Sequence, residues 1–213
     1  MSYLGELSSY GTLELTVSSP PQRFREPLEV LEVATYLNLP PSTFTDLEKN
    51  AELRAMIIAA REQAEILQGR DLVPKQWDLA LDYFPTCVEL RTPLLSVDLV
   101  SYRNSDGSLV TLAESTDYMF DTSKGLLQPA YGKTWPSFTA WPSSAVLVRF
   151  TSGYALDSPF WLDAGERIKV GMRMLVSAWF TNKMPFAIGM GLAHEMPFAV
   201  THLLSSGAVP RVR

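Results

Sequence analysis

AELRAMIIAAREQAEILQGRDLVPKQWDLALDYFP, residues 51–85, is where the hydrophobic period of the chain changes. Through its first half Leu53, Ile57, Ala60, Ala64 and Leu67 recur at steps of four, three, four and three, the spacing of one face of an α-helix. Thr45 or Asp46 stands where an N-cap is needed, and Gly69 where a left-handed C-cap is favoured. The spacing predicts an amphipathic helix of about six turns. Beyond Val73 the period falls to two: Trp77, Leu79 and Leu81 alternate with polar or small neighbours, as in a half-buried strand.

Outward from this junction, the strand period continues to Tyr154. Val88 and Leu90 alternate, as do Val97, Leu99 and Ser101, and then Val146, Val148 and Phe150 against Leu147, Arg149 and Thr151. Asn104-Ser105-Asp106-Gly107 joins the Val97 strand to Leu109–Leu112, and Thr122-Ser123-Lys124-Gly125 joins Tyr118–Phe120 to Leu126–Gln128. About six short strands are expected, forming one sheet or a small sandwich. Asp78 and Asp82 lie four apart in one strand and share a face, where they read as solvated edge charges.

Helical spacing flanks this block on both sides. Upstream, Pro27 suits the first position of a helix carrying Leu28, Leu31, Ala34 and Leu37 or Leu39, and Pro40-Pro41 stops it. Downstream of Pro159, Ile168, Met172, Leu175, Val176 and Trp179 share a face of a helix running to about Lys183. A glycine-rich loop, Ile188-Gly189-Met190-Gly191, precedes a short last helix near Phe198–Leu204. Helices before and after a β block predict an α+β fold: a small bundle of three to four helices with a β-rich insertion between the second and third, plus extended N- and C-terminal arms. The expected division is an arm at 1–26, a helical domain at 27–72 and 159–204, a β insertion at 73–158 and a tail at 205–213. In the first arm, Leu13-Glu14-Leu15-Thr16-Val17 has the alternation of a short strand, expected to pair with a neighbouring subunit.

Composition narrows the function classes. Of 213 residues, 46% are hydrophobic and 19% charged, values of an ordinary globular protein with a sizeable core. A net charge of -5, without a run of basic residues, argues against a protein that grips nucleic acid. Cys87 is the single cysteine, so neither an intramolecular disulfide nor a thiolate metal cluster is possible, which suits a reducing compartment. The first 25 residues contain no apolar block of signal-peptide length and no stretch is long enough to span a membrane, so a soluble, unexported chain is expected.

The motifs that invite an enzymatic reading fail on their neighbours. Gly132-Lys133-Thr134 resembles the end of a phosphate loop, but Leu127 occupies the position of the leading glycine, Pro129 removes an amide and Trp135-Pro136 stands where a helix should begin. His194-Glu195 opens like a zinc-protease helix, yet Phe198 replaces the second histidine. Gly189-x-Gly191 is half of a dinucleotide fingerprint, with His194 in place of the third glycine. With His194 and His202 the only histidines, no catalytic residue, cofactor or metal site is assigned. The aromatics Trp135, Phe138, Trp141 and Tyr154 have two readings: a sugar-stacking platform, or a proline-stiffened loop packed over the sheet or against another subunit. Packing is favoured, because the segment offers almost no converging Asp, Asn or Arg side chains.

Taken in order, these elements resemble the head-tail connector, or adaptor, proteins of tailed bacteriophages, prophages and gene transfer agents. The resemblance is carried by LEVLEVATYLNL, by the 51–85 segment, and by ELRTPLLSVDLVSYRNSDGSLVTLAESTDYMFD; LLQPAYGKTWP, AVLVRFTSGY and a helix ending AWFTNK follow. It covers residues 27 to about 204, and residues 1–24 extend beyond the usual start of such proteins. The resemblance implies a structural virion protein that forms a ring, usually of twelve copies, between the portal and the stopper or tail proteins. DNA would pass through the ring without sequence-specific binding, and assembly would occur in the host cytoplasm, with no cofactor and no membrane contact. It makes Ala208, Val209, Pro210, Arg211, Val212 and Arg213 the candidate portal-docking tail. Tyr131, Gly132, Trp135, Pro136, Trp141 and Tyr154 become candidate packing or inter-subunit residues. The alternative is a virion-associated carbohydrate-binding module or enzyme built on the β block.

Overall fold

A computed structural model describes residues 11–15, 26–44, 46–155, 157–181 and 198–205. The chain forms two compact units, one of β structure around Val73–Tyr154 and one of helices drawn from Arg25–Leu72 and Ala155–Arg213. The fold is mixed α+β, as the alternation of periods predicts.

In the β unit, β1 (Gly11–Leu15), β2 (Lys75–Leu81), β4 (Leu94–Arg103), β5 (Leu109–Thr111) and β8 (Val146–Ser152) form an antiparallel sheet in the order β1-β2-β8-β4-β5. A second sheet, in the order β3-β7-β6, is built from β3 (Val88–Glu89), β6 (Tyr118–Asp121) and β7 (Leu126–Pro129). Both contribute to one core. Leu79, Val100, Val148 and Phe150 from the larger sheet are buried with Val88, Tyr118 and Leu127 from the smaller. In β8 the period of two is complete, every second residue from Val146 to Ser152 being buried. Burying a side chain such as Phe150 stabilises by about 1.5–3 kcal/mol.

Two features depart from expectation. The N-terminal strand, expected to reach a neighbouring subunit, pairs with β2 of its own chain, Leu13 opposite Leu79; Thr16 and Val17 lie outside the described residues. Consequently β2 is an interior strand, so Asp78 is no edge charge. Its carboxylate accepts two hydrogen bonds from Arg149 on β8, at 2.7 and 2.8 Å, directly across the ladder. This cross-strand pair answers the carboxylate that periodicity alone could place only on a face. Asp82, beyond the end of β2, accepts the Ser144 N–H at 2.8 Å.

The predicted turns form where their chemistry allows. Asp106 accepts the N–H and hydroxyl of Ser108 while Gly107 adopts φ 84°. Asp121 accepts the hydroxyl and N–H of Ser123 and the N–H of Lys124; these donors, the Ser123 hydroxyl first, hold its carboxyl below the usual 3.8. At Gly125 (φ 66°) a Cβ would lie 2.8 Å from the Leu90 carbonyl oxygen, so the close approach of strands there requires glycine.

The helical unit contains α1 (Val30–Tyr36), α2 (Leu47–Gln68), α3 (Ala164–Thr181) and α4 (Phe198–Ser205). Asp46 is the N-cap of α2, its carboxylate accepting the N–H groups of Glu48 and Lys49, and Gly69 closes the helix at φ 69°. Leu53, Ile57, Ala60 and Ala64 are fully buried as predicted. The face then turns by one residue: Gln68, rather than Leu67, is the fully buried side chain, and its amide donates to the Leu204 carbonyl of α4. Helix α1 begins at Val30, three residues beyond the expected Pro27 start, so Val33 and Ala34 face inward while Leu31 is 57% exposed. It ends where Asn38 adopts φ 54°, with Leu39 N–H bonded back to the Ala34 carbonyl. On α3, Ile168, Met172, Leu175 and Val176 are buried, whereas Trp179 lies at the margin.

A polar cluster fastens this unit internally. Buried Arg61 on α2 donates from Nε to Glu26 and from Nη1 to Glu65, both at 2.8 Å, and the second oxygen of Glu65 accepts the Leu72 N–H at 3.0 Å. The start of the unit, the middle of α2 and the turn after Gly69 are thus held by one guanidinium and one carboxylate.

Candidate functional site

The segment 131–141 crosses the β unit as irregular chain, held to β4 at its far end. Ser105 N–H bonds to the Thr139 carbonyl at 2.8 Å and Trp141 N–H to the Arg103 carbonyl at 3.2 Å. Its near end is a turn, closed by Lys133 N–H on the Ala130 carbonyl at 2.9 Å. Gly132 takes φ 75° in open space, and Tyr131 at the tip is fully exposed. The Lys133 ammonium lies 3.5 Å from the Asp117 carboxylate, an exposed ion pair. No helix follows Thr134, so the backbone geometry of a phosphate loop is not formed there.

Between the anchors, four rings pack together. Trp135 stacks on Phe84 with centroids 4.4 Å apart and planes 10° from parallel. Phe138 lies 4.4 Å from Tyr102, and both stand edge-on to Phe84 at 6.1 Å. The rings are partly buried against the core of the β unit. The predicted packing residues Trp135 and Phe138 therefore meet, joined by Phe84 and Tyr102, which sequence reasoning missed. For Tyr102 the spacing misled: it put Val97, Leu99 and Ser101 on one face of β4 and Val100 with Tyr102 on the other, whereas register shifts at Leu94/Ser96 and Val97/Leu99 leave Val97 and Val100 both buried. For Phe84, beyond the end of β2, periodicity gave none.

The electrostatics of the cluster are those of packing. The indole N–H of Trp135 is buried and has no hydrogen-bond partner among the described residues. With one face covered by Phe84, Trp135 presents at most its other face to a ligand. Pro136 is half-buried beside it. Trp141 stands apart, 38% exposed, with the Arg103 guanidinium 5.8 Å from its ring. Tyr154, half-buried, follows Gly153 at the end of β8.

The remaining candidates divide between the described residues and those outside them. Ala208, Val209, Pro210, Arg211, Val212 and Arg213 lie outside, as do Gly189, Gly191, His194 and Glu195. His202 is exposed on α4, and Cys87 is exposed beside β3. Among the described residues no cluster of three His, Cys, Asp or Glu side chains is placed to hold a metal ion, and no helix is long and apolar enough to cross a membrane.

Comparison with known proteins gives a fold-level match over nearly the whole chain. A chain in the neck of an empty gene transfer agent particle, computed with C6 symmetry, superposes with a TM-score of 0.67 at 21% identity, covering 95% of this chain and 97% of that one. A chain in the neck of the native particle, computed with C12 symmetry, gives 0.61 at 19% identity over the same shares. A chain in the virion of a native gene transfer agent particle gives 0.64 at 18% identity, covering 94% and 97%. No family model and no curated protein matches the sequence. The chain thus has the fold of gene transfer agent neck components, consistent with the connector resemblance in the order of its elements.

Proposed function

We propose that this chain is a head-tail connector subunit: a structural virion protein that closes into a ring, of twelve copies, between the portal and the stopper or tail proteins and completes the channel for DNA. The observation that carries this reading is the match in fold to neck chains, which covers 95% of this chain and 97% of those chains. In neck assemblies computed with C6 and C12 symmetry a chain is repeated about an axis, and a repeated subunit meets its neighbours through two different surfaces. The net charge of -5 favours this role, because a lumen that passes a polyanion must not bind it.

In this reading the division of the chain is functional. The helical domain forms the body of the ring, the β insertion offers inter-subunit surface, and residues 208–213, ending in Arg211 and Arg213, dock into the portal. The aromatic cluster supports a packing role for Trp135 and Pro136, with no chemistry asked of them. Assembly takes place in the host cytoplasm and the product resides at the head-tail interface of the particle.

The test is to mix the purified chain with the portal oligomer of the same particle and image the complex. A ring of connector density on the portal is expected, lost when the chain is truncated after Gly207. Absence of any complex with the full-length chain sinks the connector reading. Unchanged binding by the truncated chain removes the docking role of the tail.

A further inference from the structure

The last turn of α2 buries a glutamine completely. Packing alone asks for an apolar side chain, and the spacing offers Leu67 next door, yet it is Gln68 that is turned into the interior. A buried primary amide is costly unless both of its ends are hydrogen-bonded. The two ends of Gln68 reach different elements. Its Oε1 accepts from Arg70 Nη2 at 2.7 Å, and the Arg70 guanidinium lies 5.2 Å from the ring of Phe160, in the short turn Pro159–Leu162 that leads into α3. Its Nε2 donates to the Leu204 carbonyl of α4, 136 residues further along the chain.

The last four carbonyls of a helix have no donor within it, and α4 ends at Ser205, so the Leu204 carbonyl is one of those four. Gln68 therefore caps α4 from outside. A helix of eight residues does not hold itself in water, so α4 depends on its seat against α2 and α3, where Val200 and Leu204 are buried. The side chain of Leu204 is gripped as closely as its carbonyl. A Cβ on Gly171 of α3 would lie 2.7 Å from Leu204 Cδ2 and 3.0 Å from its Cγ, which explains a glycine in the middle of a helix that it weakens.

We propose that Gln68 is a positioning residue for the C-terminal tail: by capping the last turn of α4 it fixes the point from which residues 206–213 depart. This rests on the docking role given above to residues 208–213 and names what holds their root. Only Ser206 and Gly207 separate α4 from Ala208, and the eight residues from Ser206 to Arg213 reach at most about 29 Å. With the root fixed, a docking site within that distance is met at high effective concentration. With α4 out of its seat, the nearest fixed helix end is Thr181 of α3, and the linker to Ala208 grows from two residues to the twenty-six of 182–207. Effective concentration falls roughly as the −3/2 power of linker length, so complete release weakens docking by up to about fiftyfold.

The test measures binding to the portal oligomer by the unmodified chain and by Gln68→Met, which keeps the length of the side chain and removes both polar ends. Each is also made with a flexible Gly/Ser insertion of about twelve residues after Ser205, which frees the root by another route. Gln68→Met is expected to weaken binding about tenfold without the insertion and less than twofold with it. Gln68→Glu, which keeps an acceptor for Arg70 but turns a carboxylate oxygen toward the Leu204 carbonyl, should behave in the same way. Hydrogen exchange should show α4 amides losing protection while those of Leu53–Ala64 keep it. Equal losses with and without the insertion would mean that the amide serves stability alone, and they overturn the positioning role. So does unchanged binding, or an α4 as protected as in the unmodified chain. If truncation after Gly207 leaves portal binding intact, the docking reading of the tail falls and this role with it. If truncation abolishes binding while neither Gln68 variant affects it, only the positioning role falls.

Discussion

Replacing Arg61 by Met tests the polar cluster inside the helical unit. The Arg61 side chain is 8% exposed, Glu65 7% and Glu26 21%, so two carboxylates share one desolvated guanidinium. Removing one member of a buried ion pair costs about 3–5 kcal/mol, because the remaining charge is left in a poorly solvated site. Glu65 keeps the hydrogen bond from Leu72 N–H, and Glu26 is near enough to the surface to recover water, so the expected loss is about 3 kcal/mol, at the low end of that range. Against a total stability of about 5–15 kcal/mol this is a large fraction. Urea denaturation followed by circular dichroism at fixed pH and salt measures it. Glu62→Ala is the internal control: Glu62 is 57% exposed and 3.6 Å from Arg61, and its loss should cost less than about 0.5 kcal/mol. In a triple variant, Glu26→Gln with Arg61→Met and Glu65→Gln, these three positions carry no charge, and most of the loss should be recovered. An Arg61→Met protein as stable as Glu62→Ala would refute the reasoning.

Gly153→Ala places a Cβ 2.1 Å from the Val73 carbonyl oxygen at a residue with φ 125°; severe loss of stability, above about 3 kcal/mol, is expected in thermal melts. Gly132→Ala meets open space but keeps φ 75°, so a cost of about 1 kcal/mol is expected, whereas Lys133→Ala removes only an exposed ion pair and should cost under about 0.5 kcal/mol. Equal costs for the two would contradict the turn assignment. Trp135→Ala should lose about 2–4 kcal/mol by breaking the stack on Phe84, and Trp135→Phe should be near neutral, since it keeps a ring and removes a buried N–H that has no partner among the described residues. Calorimetry of the two variants checks this, and a Phe variant as damaged as the Ala variant would show that the N–H is satisfied after all.

The fold was legible wherever one residue periodicity decides burial. The α2 face from Leu53 to Ala64 and the β8 alternation from Val146 to Phe150 follow directly from spacing, because each packs one face on a core. Turn positions were legible for a different reason: Gly69, Gly107 and Gly125 take positive φ, which few other residues accept. What spacing cannot convey is pairing across long separations. The Asp78 partner, Arg149, is 71 residues away, so spacing leaves Asp78 a solvated edge charge until the ladder brings the two together, and the Arg61 partner Glu26, 35 residues away, leaves no trace in the periodicity at all. The same holds at the aromatic site. Trp135 and Phe138 announced a packing segment, but the ring beneath them, Phe84, comes from a different part of the β unit.

A match in fold at 18–21% identity is reasonable in these terms, because folding constrains few positions tightly. A periodic core accepts many apolar residues of similar volume, and only close approaches such as Gly125 and Gly153 admit a single residue type. The outward stripe of α2 belongs to neither class. Ala51, Ala55 and Ala59 contribute to no core, and substitution at such exposed helix positions changes stability by about 0.5 kcal/mol or less. Alanine there serves the helix itself, being the residue that costs least to hold in helical backbone. Substitutions at the core and close-approach residues accordingly lower the melting temperature, whereas those on the exposed stripe leave it nearly where it was.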